Sequence, residues 1–506
     1  MIFRDYFCLF CSLSVSINER EIEMNELYLK RMKQLIPQEF DQYIKSLDQP
    51  LYQGLRTNPL KISSEKLFAR LPFLNRPSPF ASDSWYIQGH YGNHPAHICG
   101  LFYLQEPSAA AAVEALNIEK GMNVLDLCAA PGSKSTQIAG KNPDGFLVCN
   151  ELDSSRAQAL LSNLERMGTE NFLCTNMDGR DLCSQFSGFF DRILVDAPCS
   201  GEGMMKKHDA ARDEWSLENV MTCSARQKDL LAAAVTALKP GGEMVYSTCT
   251  YAPEENEENV VWLLNSFSEM EQLPVEGCYG RRGVDTEGMD ASMVRRIFPM
   301  DAGEGHFIAR FRKKEDAASS GSLKAKTLRP EKPDRHVTEF LNQQMGCGYE
   351  NYHMEKDPRK DIVRVYGMNH PFLALKKGRI LRQGVYLGDL LKKRFEPAHA
   401  FFLSETNSRN SMRKADLSLS EMDQFMHGEQ LNIDQLERRD EIRQLPSGFI
   451  SVCHDGAPFG FGKTDGRRIT NKIPKGLRLS AASHVMNDQE TADLVQNDRK
   501  IQGGRT

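Results

Sequence analysis

Two cysteines stand at the ends of strand-like apolar runs, each inside a short loop signal: Asp196-Ala197-Pro198-Cys199 and Ser247-Thr248-Cys249-Thr250. The strand ends of a parallel α/β sheet gather around one crevice, so two thiols placed there can act on the same substrate atom. One can attack while the other assists release, which is covalent catalysis. A lone cysteine after a strand is more often a small buried hydrophobe. Two on neighbouring strands are a stronger signal. A free thiol has a pKa of about 8.5, so whichever is the nucleophile needs an activating environment.

The elements that must position them alternate in a βαβ rhythm. Strands are expected at 123–127, 146–150, 171–175, 192–195, 243–247 and 306–312, with helices at 154–167, 225–238 and 254–264. This pattern predicts a Rossmann-like, doubly wound, mostly parallel α/β sheet. The first strand runs into the turn Cys128-Ala129-Ala130-Pro131-Gly132-Ser133-Lys134, whose small residues let the backbone approach a ligand at a helix start. Three spaced glycines are missing, which disfavours a dinucleotide fingerprint, and Ser133-Lys134 stands where a P-loop has Gly-Lys. Glu151 ends the second strand, where an acid can bind ribose hydroxyls, and Asp178 follows the third, where it can take an adenine amine or cap the Gly179-Arg180 turn. Singly, each acid is as readily a helix cap or a solvated loop residue. Together they favour an adenosine ligand.

Composition bounds the rest. At 506 residues the chain is long for one domain, and roughly 150 residues per domain gives about three. A net charge of −5 offers no bulk attraction to nucleic acid, so any such partner must be gripped by local basic patches. The 13 cysteines are odd in number and scattered, which points to a reduced, cytoplasmic setting. Cys8 and Cys11 have zinc-ligand spacing but no second pair, and His94, His97 and Cys99 lack a fourth partner, so no metal site is expected. The apolar stretch 6–16 follows a leader with both Arg4 and Asp5, lacks a cleavage site and is too short to span a bilayer. Residues 1–23 read as a non-native or dispensable extension, with helical periodicity beginning at Met24.

Domain boundaries follow from shifts in composition. A small N-terminal module is expected at 24–104, the α/β domain at 105–313, a linker at 314–333 and an intermediate module at 334–377. A mixed α+β domain at 378–480 and a polar, disordered tail at 481–506 complete the chain.

An adenosine cofactor with an electrophilic methyl, S-adenosylmethionine, makes sense of the thiols. Carbon 5 of a pyrimidine is a weak nucleophile, and a thiolate added at carbon 6 converts the ring into an enamine that can attack the methyl. Asp196 can hydrogen-bond the nitrogen edge of the base, and Lys134 can reach the base or the backbone. The residues alone do not say which thiol attacks.

The runs Tyr103-Leu104-Gln105-Glu106-Pro107-Ser108, Asp126 to Lys134, Asp196 to Gly203, and Lys239-Pro240-Gly241-Gly242 to Thr250 resemble the RNA (cytosine-5) methyltransferases of the NOL1/NOP2/Sun family. The resemblance covers roughly 24–313. It implies a class I S-adenosylmethionine-dependent fold, Cys249 as nucleophile, Cys199 as the release residue, and Lys134 and Asp196 as catalytic partners. It carries cofactor binding to Cys128, Ala129, Ala130, Pro131, Gly132, Ser133, Lys134, Glu151, Asp178 and Asp196. Further on, Gly388 to Pro397 and Gly460-Phe461-Gly462-Lys463 to Arg478 look like the extension of bacterial RsmF-type 16S rRNA methyltransferases. That likeness implies RNA binding by the N-terminal module, a PUA-like RNA-binding domain at 378–480, and 16S rRNA or the small ribosomal subunit as partner. Ser133 replaces a second glycine found in many relatives, and 1–23 has no counterpart in the family.

A target cytosine must be swung out of structured RNA, at a cost of a few kcal/mol. The cluster Lys376, Lys377, Arg379, Arg382, Lys392, Lys393 and Arg394, with Lys463, Arg467, Arg468, Lys472 and Lys475, can grip phosphates or be an ordinary solvated face. Phe395, Phe401, Phe402 and Phe461 read as core. Alternative readings are a tRNA cytosine-5 methyltransferase, a catalytically silent ribosome assembly factor that binds RNA, and a nucleotide hydrolase using Lys134. The intact thiol pair disfavours the silent factor, and the missing glycine disfavours the hydrolase.

Overall fold

The computed structural model describes residues 24–494, apart from 72, 75, 318–322, 330, 359–361, 393 and 488. The expected extension at 1–23, with Cys8 and Cys11, and Lys393 of the basic cluster lie outside the described residues.

Nine strands form the central sheet: β1 Asn123–Asp126, β2 Phe146–Asn150, β3 Phe172–Asn176, β4 Phe190–Asp196, β5 Leu238–Thr248, β6 Met270–Leu273, β7 Arg295–Ile297, β8 His306–Lys313 and β9 Arg379–Gln383. Their spatial order is β7-β8-β5-β4-β1-β2-β3-β9, with β6 also paired to β8. Strands β1 to β5 are mutually parallel, while β8 joins β5 and β9 joins β3 antiparallel. The order reverses between β1 and β4, the switch point at which carboxyl strand ends open a crevice.

Strand side chains alternate between two cores because successive residues point to opposite faces. Leu125, Val148, Ile193, Val195 and Met244 face one core. Val124, Leu147, Leu194 and Val245 face the other. With both faces buried, the strands read as continuous apolar runs, as a parallel sheet requires. Helices α1 (Ser133–Lys141) and α2 (Ser154–Met167) contribute Ile138, Leu160 and Leu164 to the second core, and α3 (Leu217–Ala237) and α4 (Glu257–Ser266) contribute Leu231 and Leu263 to the first. Helix α2 starts where Asp153 accepts the Arg156 N–H and stops at Gly168, whose φ of +83° forms a left-handed cap. Helix α3 starts well before the expected 225, at Leu217, because Ser216 caps it by accepting the Asn219 N–H. Leu217 and Met221 face solvent in its opening turns, which blurs the periodicity there.

The appended parts depart from the sequence expectation in three places. The boundary expected at 377/378 falls inside folded structure: β9 completes the central sheet, and Val385–Leu391 and Arg394–Pro397 pair in a sheet with His353–Pro358 and Val363–Met368. The following five-stranded sheet begins only with Lys414–Asp416. A lysine-rich, glycine-punctuated stretch looked like a border, but pairing with distant strands decided otherwise. The expected linker is partly stapled down, with Lys326–Thr327 paired to Leu373–Ala374 and Ala325 buried. The start of the expected disordered tail is packed: Val485 is buried and its N–H donates to Asp423, while Met486 N–H donates to Asn93 O. Val485, Met486 and Leu494 pack against the core that the C-terminal sheet shares with the N-terminal module.

At the other end, helices Glu26–Leu35 and Phe40–Leu47 bury Tyr28, Met32 and Tyr43 against Trp215, Val220 and Tyr251 beside the crevice. The rest of the N-terminal module shares one core with the C-terminal sheet, uniting Leu55, Leu67 and Phe102 with Phe425, Val452 and Ile469. Phe395, Phe401, Phe402 and Phe461 are buried. No helix among the described residues is long and apolar enough to cross a membrane.

Candidate active site

The turn after β1 is held from both sides. Arg156 Nη2 donates to Ala130 O at 2.8 Å, and Asn163 Nδ2 donates to Pro131 O at 3.0 Å, both from α2. Gly132 has φ +107°, where a side chain is strained, and an added Cβ would come 3.1 Å from Leu160. No side chain caps α1, so its first-turn N–H groups, which lack an intrahelical acceptor as in any helix, have no cap side chain to receive them either. From the N-terminal module the buried Arg56 donates to Ser133 O at 3.2 Å and Thr136 Oγ1 at 2.9 Å.

Acids and an amide line the neighbouring strand ends. Asp126 accepts Ser135 Oγ–H at 2.6 Å through Oδ2, while its Oδ1 is buried without a partner, and burial pushes its pKa up to about 7. Asn150 ties three strands together, donating to Leu127 O and Met177 O and accepting from Thr175. Glu151 is buried and accepts the Asp153 N–H at 2.9 Å, with Leu152 beside it 66% exposed. Asp178 is the N-cap of the next short helix and also pairs with the Arg180 guanidinium, so of its two expected roles the cap is the one seen.

The two thiols meet. Cys199 Sγ and Cys249 Sγ lie 3.1 Å apart and both are half-buried. Their loops are clamped together: Ser200 Oγ and Thr250 Oγ1 are 2.8 Å apart, and Gly203 N–H donates to Cys249 O at 2.9 Å. Position 203 needs glycine, since a Cβ there would approach Cys249 O and Gly305 Cα at 3.0 Å. Glu255 accepts the Ser200 N–H at 3.0 Å and Gln227 Nε2–H at 2.7 Å, and Gln227 also donates to Pro198 O. Burial pushes Glu255 up to about 7. The hydrogen bond with Cys249, then burial, holds the Cys199 pKa well above the ordinary thiol value, so Cys199 stays S–H. The Cys249 N–H donates to Cys199 Sγ at 3.4 Å.

Across the crevice Lys134 Nζ donates to Asp196 Oδ2 at 2.7 Å, and Ser247 Oγ donates to Asp196 Oδ1 at 2.7 Å. Burial opposes both charges, but the pair outweighs it: Lys134 is raised above, and Asp196 lowered below, its ordinary pKa. The site therefore offers a fixed ammonium, a fixed carboxylate and one thiol kept protonated beside a second.

The structure thus unites Cys199, Cys249, Lys134 and Asp196, and sets the 128–134 turn, Glu151 and Asp178 along adjacent strand ends. Sequence reasoning missed Arg56, Asn150, Ser247 and Glu255. Glu255 was findable, as an acid just after the Thr-Cys signal; Arg56 carries no local signal because its partners lie far along the chain. The basic cluster is divided. Arg382 pairs with Glu165 at 2.6 Å, Lys377 with Asp181, Arg394 with Glu396, and Arg468 with Asp465, while Lys463 lies over Phe449. Lys376, Arg379, Lys392, Arg467, Lys472 and Lys475 are exposed and form no ion pair among the described residues. No group of three His, Cys, Asp or Glu among the described residues is disposed to hold a metal ion.

Residues 113–312 match the family model of 16S rRNA methyltransferase RsmB/F, and 24–107 that of the N-terminal domain of 16S rRNA methyltransferase RsmF. Residues 340–404 match the first C-terminal domain of RsmF rRNA methyltransferase, and 413–479 its PUA domain. Ribosomal RNA small subunit methyltransferase F of Shewanella denitrificans is 30% identical, covering 90% of this chain and 99% of its own. The Salmonella agona protein of the same name is 32% identical, covering 89% and 96%. A methyltransferase homolog from Pyrococcus horikoshii aligns at TM-score 0.52 and 30% identity over 58% of this chain and 96% of that one. NSun6 from the same organism, solved with SFG, aligns at TM-score 0.50 and 23% identity over 58% and 99%, which speaks to the fold.

Proposed function

The chain belongs to the RsmB/F family of 16S rRNA methyltransferases, and on that premise we propose that it methylates carbon 5 of a cytosine in 16S rRNA through a covalent Cys249–carbon 6 bond. The observation that carries this reading is the pair of strand-end thiols 3.1 Å apart beside the Lys134–Asp196 pair.

The crevice fits S-adenosylmethionine as cofactor. The glycine-tight turn, the uncapped first-turn amides of α1, the partnerless Asp126 Oδ1 and the exposed apolar Leu152 beside Glu151 together suit a ligand with an adenosine end. Cys128, Ala129, Ala130, Pro131, Gly132, Ser133, Lys134, Glu151 and Asp196 would hold it; Asp178 borders it with its carboxylate committed to Arg180. When bound, S-adenosylmethionine supplies an electrophilic methyl group. The relative NSun6 was solved with SFG, an analogue of that cofactor.

On this reading Cys249 adds to carbon 6, and Asp196, fixed by Lys134 and Ser247, receives the amino and ring-nitrogen edge of the base. Such fixed charges act strongly in a site shielded from water. Cys199, kept as a thiol, hydrogen-bonds the sulfur of Cys249 as it departs. The C-terminal PUA domain and the exposed lysines and arginines grip the rRNA, and the enzyme works in the cytoplasm, where ribosomes are assembled.

Incubating the protein with methyl-labelled S-adenosylmethionine and rRNA, then digesting to nucleosides, tests this. Label is expected in 5-methylcytosine of 16S rRNA, and Cys249→Ala is expected to abolish it. Label in another nucleoside, or substantial methylation by Cys249→Ala, overturns the reading; label on tRNA instead redirects the substrate.

A further inference from the structure

His306 opens β8. The register pairs Phe307 with Thr248 and Ile308 with Ser247, so His306 stands at the strand end from which Cys249 emerges, on the sheet face that carries Ser247. Gly305, its neighbour, packs against Gly203, whose N–H donates to Cys249 O. His306 therefore lies at the mouth of the same crevice, close enough for Lys134 and Asp196 to act on its ring.

Its hydrogen bonds assign its protons. Ser108 Oγ lies 2.6 Å from Glu106 Oε2 and 2.8 Å from His306 Nδ1. A carboxylate only accepts, so the one hydroxyl hydrogen of Ser108 goes to Glu106. Nδ1 must then carry hydrogen and donate to Ser108. A neutral imidazole has a single N–H, which leaves Nε2 with a lone pair, and Nε2 has no hydrogen-bond partner among the described residues. Among the described residues the charged groups that act on the ring are Glu106 from the turn before Pro107–Ala110, Lys134 from α1 and Asp196 from β4. Burial outweighs the pull of Glu106 and holds the ring below the ordinary histidine pKa, so it is neutral at neutral pH.

We propose that His306 Nε2 is the base that removes the proton from carbon 5 of the methylated adduct, an inference that rests on the function proposed above. In that step the C5–H electron pair becomes the C5–C6 double bond. The C6–S bond breaks with its pair going to the Cys249 sulfur, and the proton ends on Nε2, from which water takes it. Cys199 need not ionise: it donates its S–H to the departing sulfur, while the orienting chain Glu106–Ser108 keeps Nδ1 protonated and Nε2 basic.

The test uses rRNA carrying tritium at cytosine carbon 5, and follows methyl incorporation, protein–RNA adduct on denaturing gels, and tritium release. His306→Ala is expected to form the methylated adduct at the wild-type rate but release tritium roughly 100-fold more slowly, with recovery when imidazole is added. Imidazole is expected not to rescue Cys199→Ala. Ser108→Ala, which keeps the ring and loses its orienting acceptor, is expected to slow release about 10-fold with adduct formation intact. Wild-type tritium release by adduct-competent His306→Ala, slow release without imidazole rescue, or unchanged release in Ser108→Ala overturns the proposal. Absence of 5-methylcytosine with the wild-type protein marks failure of the underlying function instead, and the His306 assignment falls with it.

Discussion

The catalytic crevice and the basic C-terminal surface both concentrate charge, and they use it differently. In the crevice Lys134 and Asp196 are locked at 2.7 Å, with Ser247 on the second carboxylate oxygen. At the C-terminal surface the same kinds of side chain split into two populations. Arg382 serves the architecture, pairing with Glu165 and lying over Tyr366 and Tyr386, whereas Arg467, Lys472 and Lys475 stand in water. A run of positive charge in sequence therefore does not define a nucleic-acid grip. What a cation is packed against decides whether it holds the fold or remains available to a phosphate.

Lys134→Met breaks the crevice side of the comparison most severely. Methyl transfer is expected to fall about 100-fold or more while RNA binding persists, because a positioned charge in a shielded site is lost; near-normal turnover in a single-turnover assay would show that the pair is only structural. On the other side, the triple substitution Arg467→Ala, Lys472→Ala, Lys475→Ala is expected to weaken rRNA binding about 10-fold and flatten its salt dependence. Its melting temperature should not change. Arg382→Ala should do the reverse, costing about 1–2 kcal/mol in urea unfolding through its ion pair and ring contacts with rRNA affinity nearly intact. If Arg382→Ala weakened RNA binding as much as the triple variant, the division into two populations would be wrong.

The smallest effect is one of pH. Burial pushes Glu255 up to about 7, whereas in the unfolded chain such a carboxyl titrates near 4.3. The native state therefore holds the extra proton between those values, and this group's stabilising contribution is full at low pH and is lost as pH rises through about 7. Buried His94 and His399, each drawn down to about 4, act oppositely at acidic pH. The informative quantity is thus the difference from Glu255→Gln. Wild type should lose melting temperature relative to that variant between pH 5 and pH 8, and a constant difference would place Glu255 at its ordinary pKa.

Much of the fold was legible because the central strands are continuous apolar runs and α2 carries its own cap and stop, Asp153 and Gly168. The thiol pair and Asp196 were legible because they sit at or just beyond strand ends, and Lys134 because it opens the helix that follows the small-residue turn 128–132. Less visible was whatever depends on distant pairing. Arg56 reaches the turn after β1 from another module, and β9, whose lysine- and glycine-rich approach reads as a domain border, pairs with β3. A deletion after Lys376 therefore removes an edge strand of the central sheet together with the exposed C-terminal cations. His306 was read only as the first residue of a strand; its proton count needs Ser108, far back in the chain.

The core shared by Leu55, Leu67 and Phe102 with Phe425, Val452 and Ile469 has a consequence for biosynthesis. At about 5–20 residues per second of synthesis, the N-terminal module waits tens of seconds for the partner strands that close it. During that interval its apolar face is open to solvent, to the tunnel exit and to chaperones. The catalytic sheet can assemble first, and the strands that carry Val452 and Ile469, made later, then close the core over the N-terminal module.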